Sequence, residues 1–195
     1  MFHQQTKPLI VLLSGWAGSG KDAAAALMVE EMCFIRHAFA DSLKHDVATR
    51  TGIPVATFHS YVKNKPLTGP PPEEYQTAKT PRDILIQHAA AMRSANPNIY
   101  AEHVAADILT SQDLRHVISD WRYPNEYQHI CETTGSAATV LRGRIVRSSV
   151  APLDEETEHY LDEESMDFVI QNDGSISDLR DSIRAALHSY MHPHN

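Results

Sequence analysis

Cysteine is scarce in this chain: its 195 residues hold only Cys33 and Cys131, 98 positions apart and without CxxC spacing. That excludes a zinc ribbon or a disulfide framework and points to a reducing, cytoplasmic setting. Long uncharged apolar runs are missing too, so no segment reads as a membrane span. There is no lysine-rich tract and no internal repeat. Lysine and arginine are absent from 148–179, which carries ten acids (154, 155, 156, 158, 162, 163, 164, 167, 173 and 178). The other 163 residues carry 17 bases against 15 acids and are slightly basic, so the formal charge of -8 comes from this one stretch. A field of that sign repels a polyanion and argues against nucleic acid as the main partner. A small phosphate ligand needs only a local cluster of donors.

With 42% hydrophobic and 22% charged residues, the chain reads as one globular domain. The N-terminus has a single basic residue before a short apolar run that enters Gly15, with no small-residue cleavage site, so it reads as a strand and not as a signal peptide. Residues 8–14 have the continuous apolar character of a strand buried on both faces, as in a parallel sheet. Good helix formers follow from Ser19 to Cys33. A second helix is capped by Asp41 or Ser42 and stops at Gly52, and Lys63 to Pro72 is a proline-rich loop. Thr80-Pro81-Arg82-Asp83 starts a helix with a cap, a proline in the first turn and an acid at the third position. Further helices are predicted over 99–109, 125–133 and 177–190, and strands over 116–119, 138–141 and 168–170. The order is an α/β alternation. His188, His192 and His194 read as a solvated tail and not as a metal set.

The chemistry begins at Gly15-Trp16-Ala17-Gly18-Ser19-Gly20-Lys21-Asp22, a G-x-x-x-x-G-K run between a strand and a helix. Backbone N–H groups around such glycines close on phosphate oxygens, the helix N-terminus adds positive potential, and the lysine reaches the outer phosphates. Asp22 stands where the common phosphate loop has Ser or Thr. A carboxylate there can hold Mg²⁺, accept from a loop donor or cap the helix, and Ser19 does not replace the missing hydroxyl by spacing. Asp120 ends an apolar strand, where ligands bind in parallel sheets, and is the second candidate for Mg²⁺.

Several blocks together resemble the phosphate-loop kinases with a G-K-D loop, chiefly the deoxynucleoside monophosphate kinases of phages and large viruses. Phe39-Ala40-Asp41-Ser42-Leu43-Lys44 is similar to the family's segment after its second strand. The run from Thr80 to Gln87 resembles its TPR-x-x-L-x-Q helix, Arg93 a later arginine, and Asp120-Trp121-Arg122-Tyr123-Pro124-Asn125-Glu126 its D-x-R-[FY]-P-N-E signature. Asn172-Asp173-Gly174 resembles its last loop. Thr157-Glu158-His159 departs from the family's His-x-Ser-Glu, and a solvated acidic stretch is the plainer expectation there.

The resemblance implies a single kinase domain over 1–195, with a nucleoside monophosphate kinase-like parallel sheet, an acceptor-binding segment at about 40–110 and a lid at about 142–160. It implies ATP as phosphoryl donor, Mg²⁺, a (deoxy)nucleoside monophosphate as acceptor, and viral proteins acting in host cytosol among its members, some of them homodimers. Donor contacts would come from Gly15, Gly18, Ser19, Gly20, Lys21, Asp22, Asn172 and Asp173. Catalytic cations would be Lys21, Arg82, Arg122, Arg142 and Arg144, with Arg147 also in the lid. Acceptor contacts would come from Phe39, Asp41, Lys44, Arg82, Gln87, Arg93 and Trp121, with Tyr100 nearby. Animal phosphomevalonate kinases share the G-K-D loop and are one alternative. A non-catalytic nucleotide-binding regulator is another.

Overall fold

The structure, a computed structural model, describes residues 7–153 and 156–191. His192, His194, Asp154 and Glu155 lie outside them. Five strands, β1 (Leu9–Ser14), β2 (Ile35–His37), β3 (Arg115–Ile118), β4 (Thr139–Val146) and β5 (Phe168–Gln171), form one parallel sheet in the order β2-β3-β1-β4-β5. The helices are α1 (Lys21–Met32), α2 (Phe39–Thr51), α3 (Pro81–Ala95), α4 (Ile99–Thr110), α5 (Pro124–Thr134) and α6 (Ile176–Met191). Every residue of β1 is buried, because both faces of this central strand are covered. Ile10 and Leu12 pack with α2 to α5, through Leu43, Val47, Ile84, Val104 and Ile130. Leu9, Val11 and Leu13 face α1 and α6, through Leu27, Met28, Leu179 and Ile183. No helix among the described residues is long and apolar enough to cross a membrane.

Helix α2 and strand β4 differ from the sequence reading. Helix α2 begins at Phe39, ahead of Asp41 and Ser42, because its cap comes from Asp120 at the far end of β3: the Asp120 carboxylate accepts from Phe39 N at 2.8 Å and Ala40 N at 2.9 Å. Strand β4 runs to Val146, well past Leu141, so Arg142 and Arg144 are strand residues and not part of a lid loop. The apolar side of β4 continues through Leu141, Gly143 and Ile145, and β1 on one flank and β5 on the other supply its hydrogen bonds. The predicted loop holds over 65–72, while Lys63 and Asn64 belong to the 3-10 turn Ser60–Asn64 before it; a second such turn, Glu73–Tyr75, follows. At α3 the cap is as predicted: Thr80 Oγ1 accepts from Asp83 N, and the Asp83 carboxylate accepts from Thr80 N.

A buried His116 and a half-buried His37 tie β3 to β2. His116 Nε2 bonds the Asp113 carbonyl at 3.0 Å, which fixes its proton on Nε2 and leaves Nδ1 to accept from His37 Nε2 at 3.1 Å. Burial holds both imidazoles below their usual range, and each His37 charge would also meet His116. A His with a depressed folded pKa costs nothing above its unfolded value of 6.5 and loses stability below it, where only the unfolded chain takes the proton. Thermal midpoints are therefore expected to fall as pH drops from about 7 to 5, with a shallower slope in His37→Asn. An equal slope in both chains contradicts this origin.

Candidate functional site

The loop from Gly15 to Gly20 leaves β1 and enters α1 through three glycines in left-handed conformations, with φ of 137°, 84° and 103° at Gly15, Gly18 and Gly20. At Gly20 a side chain is excluded twice: its φ favours glycine, and a Cβ would stand 2.2 Å from Asn172 Nδ2. That amide donates to Ser19 O at 2.8 Å and so fastens the loop. Gly20→Ala is expected to lower the unfolding free energy by about 1–3 kcal/mol, measured by urea denaturation. An unchanged midpoint would mean that the loop is not held this way.

Two hollows share Arg122, and one of them is lined by the loop. A small cavity of about 150 Å³ lies between it, the ends of β1 and β4, and the segment 157–162; Ser19, Trp121, Arg122, Arg144, Arg147 and Glu158 are among its lining. A larger groove of about 530 Å³ lies over α2 and α3, walled by Phe39, Leu43, Leu85, Ile86, Ala89 and Ala90. Its charged groups are Lys63, Arg82, Arg93, Asp120, Arg122 and Glu126. Arg122 lines both hollows.

Lys21 Nζ donates to the carbonyls of Gly15 and Trp16, the latter at 3.0 Å. Burial, then Arg122, pushes its ammonium down, against Glu158, Asp22 and Asp120. Ser19 Oγ is buried and has no partner among the described residues. A loop with an orphaned hydroxyl and a desolvated cation suits an incoming anion. Asp22 is exposed in the first turn of α1, and Asp120, pushed up by burial against its two amides, faces the groove. These hard oxygen donors near Lys21 fit Mg²⁺, which is commonly held by one or two carboxylates, waters and substrate phosphates. No cluster of three or more potential metal ligands occurs among the described residues, and a shared phosphate-bound Mg²⁺ does not require one.

The groove gathers cations. Arg82 and Arg93 reach it from one face of α3 with Leu85, Ile86, Ala89 and Ala90 between them. Arg93 lies over the rings of Tyr123 and Tyr100, at 4.3 and 5.0 Å, and 3.6 Å from Glu126. Lys63, which the sequence did not single out, reaches the same groove from the proline-rich segment. Burial and the positive charges of Arg82, Lys44 and Arg122 push its ammonium down, with Asp22 opposing. Glu126 is buried, and its Oε2 accepts from Arg122 N at 3.0 Å and Tyr123 N at 3.1 Å. Burial still pushes it up to about 8.

Other predicted contacts are placed elsewhere. Gln87 is absent from the groove lining, since at about 100° per residue it lies across α3 from the stripe of Arg82, Ala89 and Arg93. Trp121 is buried, with its indole donating to Tyr123 O at 2.8 Å, and it lines the small cavity and not the groove. Phe39 does line the groove. Asp41 pairs with Lys44 at 2.7 Å and Arg36 at 3.0 Å, which hold it low despite burial, and it stays off the groove lining. Lys44 acts on the groove only through its charge on Lys63. Arg142 is held by Asp167 at 3.2 Å and lies over Tyr127, away from both hollows. Arg144 reaches the small cavity and donates to Leu161 O. Asp173 accepts from Ser148 N and Oγ, both at 2.7 Å, and from Gln171, so it stitches two loops together.

No family model and no curated protein sequence matches this chain. Solved structures do. A Thermus thermophilus protein, TT1252, is 14% identical with a TM-score of 0.51, and the match covers 94% of this chain and 98% of that one. A proposed kinase from Chloroflexus aurantiacus is 13% identical with a TM-score of 0.50, covering 95% and 98%. An APS kinase of Mycobacterium tuberculosis is 14% identical with a TM-score of 0.48, covering 94% and 99%. At such identities the likeness is one of fold alone: a parallel five-stranded sheet flanked by helices.

Proposed function

We propose that the chain is an ATP-dependent kinase that transfers the γ-phosphoryl group to the 5′-phosphate of a (deoxy)nucleoside monophosphate. One observation carries this: an apolar groove that shares Arg122 with the cavity lined by the glycine loop has Lys63, Arg82, Arg93 and Arg122 among its lining. A regulator that only senses a bound nucleotide has no second phosphate to neutralise. The apolar floor of Phe39, Leu43, Leu85, Ala89 and Ala90 suits a flat base better than a short, highly polar acceptor chain. The kinase-type fold supports the same reading.

The reaction asks little covalent help of the protein. An acceptor phosphate, with a second pKa of about 6, is already anionic at neutral pH, so no general base is needed. The difficulty is to hold two polyanions in line and stabilise the charge on the moving group. Lys21 and the loop amides take the donor, while Arg82, Arg93 and Lys63 take the acceptor. Arg122 lines both hollows, and in this reading it meets the group in transit. Asp22 and Asp120 would hold Mg²⁺, which supplies charge neutralisation on the phosphates when bound. Arginine suits the acceptor end because its planar fork gives two parallel bonds to a phosphate and keeps its charge.

Glu126 adds a pH dependence. Raised to about 8, it is mostly neutral at pH 7 and leaves the charge of Arg93 available. Above its pKa the carboxylate forms and competes with the acceptor phosphate for Arg93. The acceptor KM is therefore expected to rise above about pH 8, and Glu126→Gln is expected to flatten that rise. A KM profile unaffected by the substitution contradicts this role. The function itself is tested by ADP release from Mg-ATP on adding a dNMP, with product chromatography to identify the dNDP. The corresponding deoxynucleoside, which lacks the phosphate, is expected to give none. Equal release with and without the phosphate would overturn the assignment.

A further inference from the structure

We propose that Glu158 is an internal anion that closes the phosphate loop until a nucleotide displaces it. This rests on the phosphate-loop reading above and adds a regulatory contact to that site. The Glu158 side chain is only 2% exposed although its neighbour His159 is exposed. Its Oε2 accepts from the loop amide of Ala17 at 2.9 Å, and its Oε1 from Arg122 at 2.9 Å. Its charge also acts on Lys21. The carboxylate thus takes a backbone N–H of the loop and the arginine beside it, which are donors that phosphate oxygens would use. Glu158 and a phosphate group cannot both hold them.

The carrier of this carboxylate is the short 3-10 turn Glu156–Glu158, which no strand pairs with. The following residues are tied to β4, where Arg144 donates to Leu161 O and stands 4.0 Å from Asp162. Release of Glu158 alone would open the loop while that anchor stays. The same release frees Arg122, which lines both hollows, so admission of the donor and arming of Arg122 become one event.

The test compares ADP and ATP binding by calorimetry in the full-length wild type, Glu158→Gln and Glu158→Ala. A ligand whose competent state is only partly populated binds more weakly by that fraction. For a latch shut about nine-tenths of the time, both variants are expected to bind about tenfold tighter, although lost contacts lower their melting temperatures. Hydrogen exchange on the wild type gives a second readout that stands even where a variant loses its fold. On adding ADP, residues 15–20 are expected to gain protection and residues 156–160 to lose it. Equal or weaker binding by folded variants, or unchanged exchange at 156–160, overturns the latch. If wild type and variants bind no nucleotide at all, the phosphate-loop reading falls and the latch with it. Nucleotide binding and acceptor-dependent turnover without any Glu158 effect would sink the latch alone.

Discussion

Lys21→Ala is expected to leave the fold in place and to cut acceptor-dependent ADP release by about 10²–10³-fold, the usual cost of removing one donor aimed at developing charge. The side chain contributes little that the fold requires, since its two bonds go to the carbonyls of Gly15 and Trp16 in a loop that the Asn172 amide also fastens. What it contributes to chemistry is a cation held where water is scarce and Arg122 is near, a placement that favours an anion between the two. Lys21→Arg is not expected to rescue, because a planar fork cannot take the place of a compact ammonium within so tight a loop. Circular dichroism checks the fold and steady-state kinetics the loss. Retention of more than about a third of the wild-type turnover would mean that Lys21 does not act on the donor phosphates.

Arg82→Ala is expected to raise the acceptor KM by about 10- to 100-fold, the equivalent of one or two charge-assisted hydrogen bonds, with the ATP KM nearly unchanged. Arg82 lies at the start of α3, placed there by the Thr80 and Asp83 cap, and shares the groove with Lys63. The two cations repel each other when no phosphate lies between them. Lys63→Ala is therefore expected to have a smaller effect, of about 3- to 10-fold, and the double variant to lose less than the sum of the two in free energy. An unchanged acceptor KM in Arg82→Ala would show that the acceptor phosphate sits elsewhere.

The parts of this site that local sequence determines were legible. The strand, glycine loop and helix around Lys21 occur in one continuous segment, and the α3 start carries its own capping residues. Features set by distant residues were not. The start of α2 depends on Asp120, some 80 positions away. β2 is three residues, two of them exposed, with no apolar run to announce it, and only the family resemblance implied a strand there. β4 read as short because Arg142-Gly143-Arg144 interrupts its apolar pattern. The structure shows that Gly143 makes room for the Phe168 ring, since a Cβ there would stand 2.3 Å from it. Lys63 is an unremarkable lysine in a proline-rich loop until the fold brings it beside Arg82. Glu158 sat in an acidic stretch that reads as solvated, yet it is the one carboxylate shown to reach the loop amide of Ala17.

The most direct test of the central claim is a coupled ADP-release assay with Mg-ATP against the four standard dNMPs, the matching NMPs and phosphomevalonate, with Lys21→Ala as background. The account predicts turnover with one or more nucleoside monophosphates and none above background with phosphomevalonate. ADP release only with phosphomevalonate, or nucleotide binding with no acceptor-dependent release at all, would contradict it.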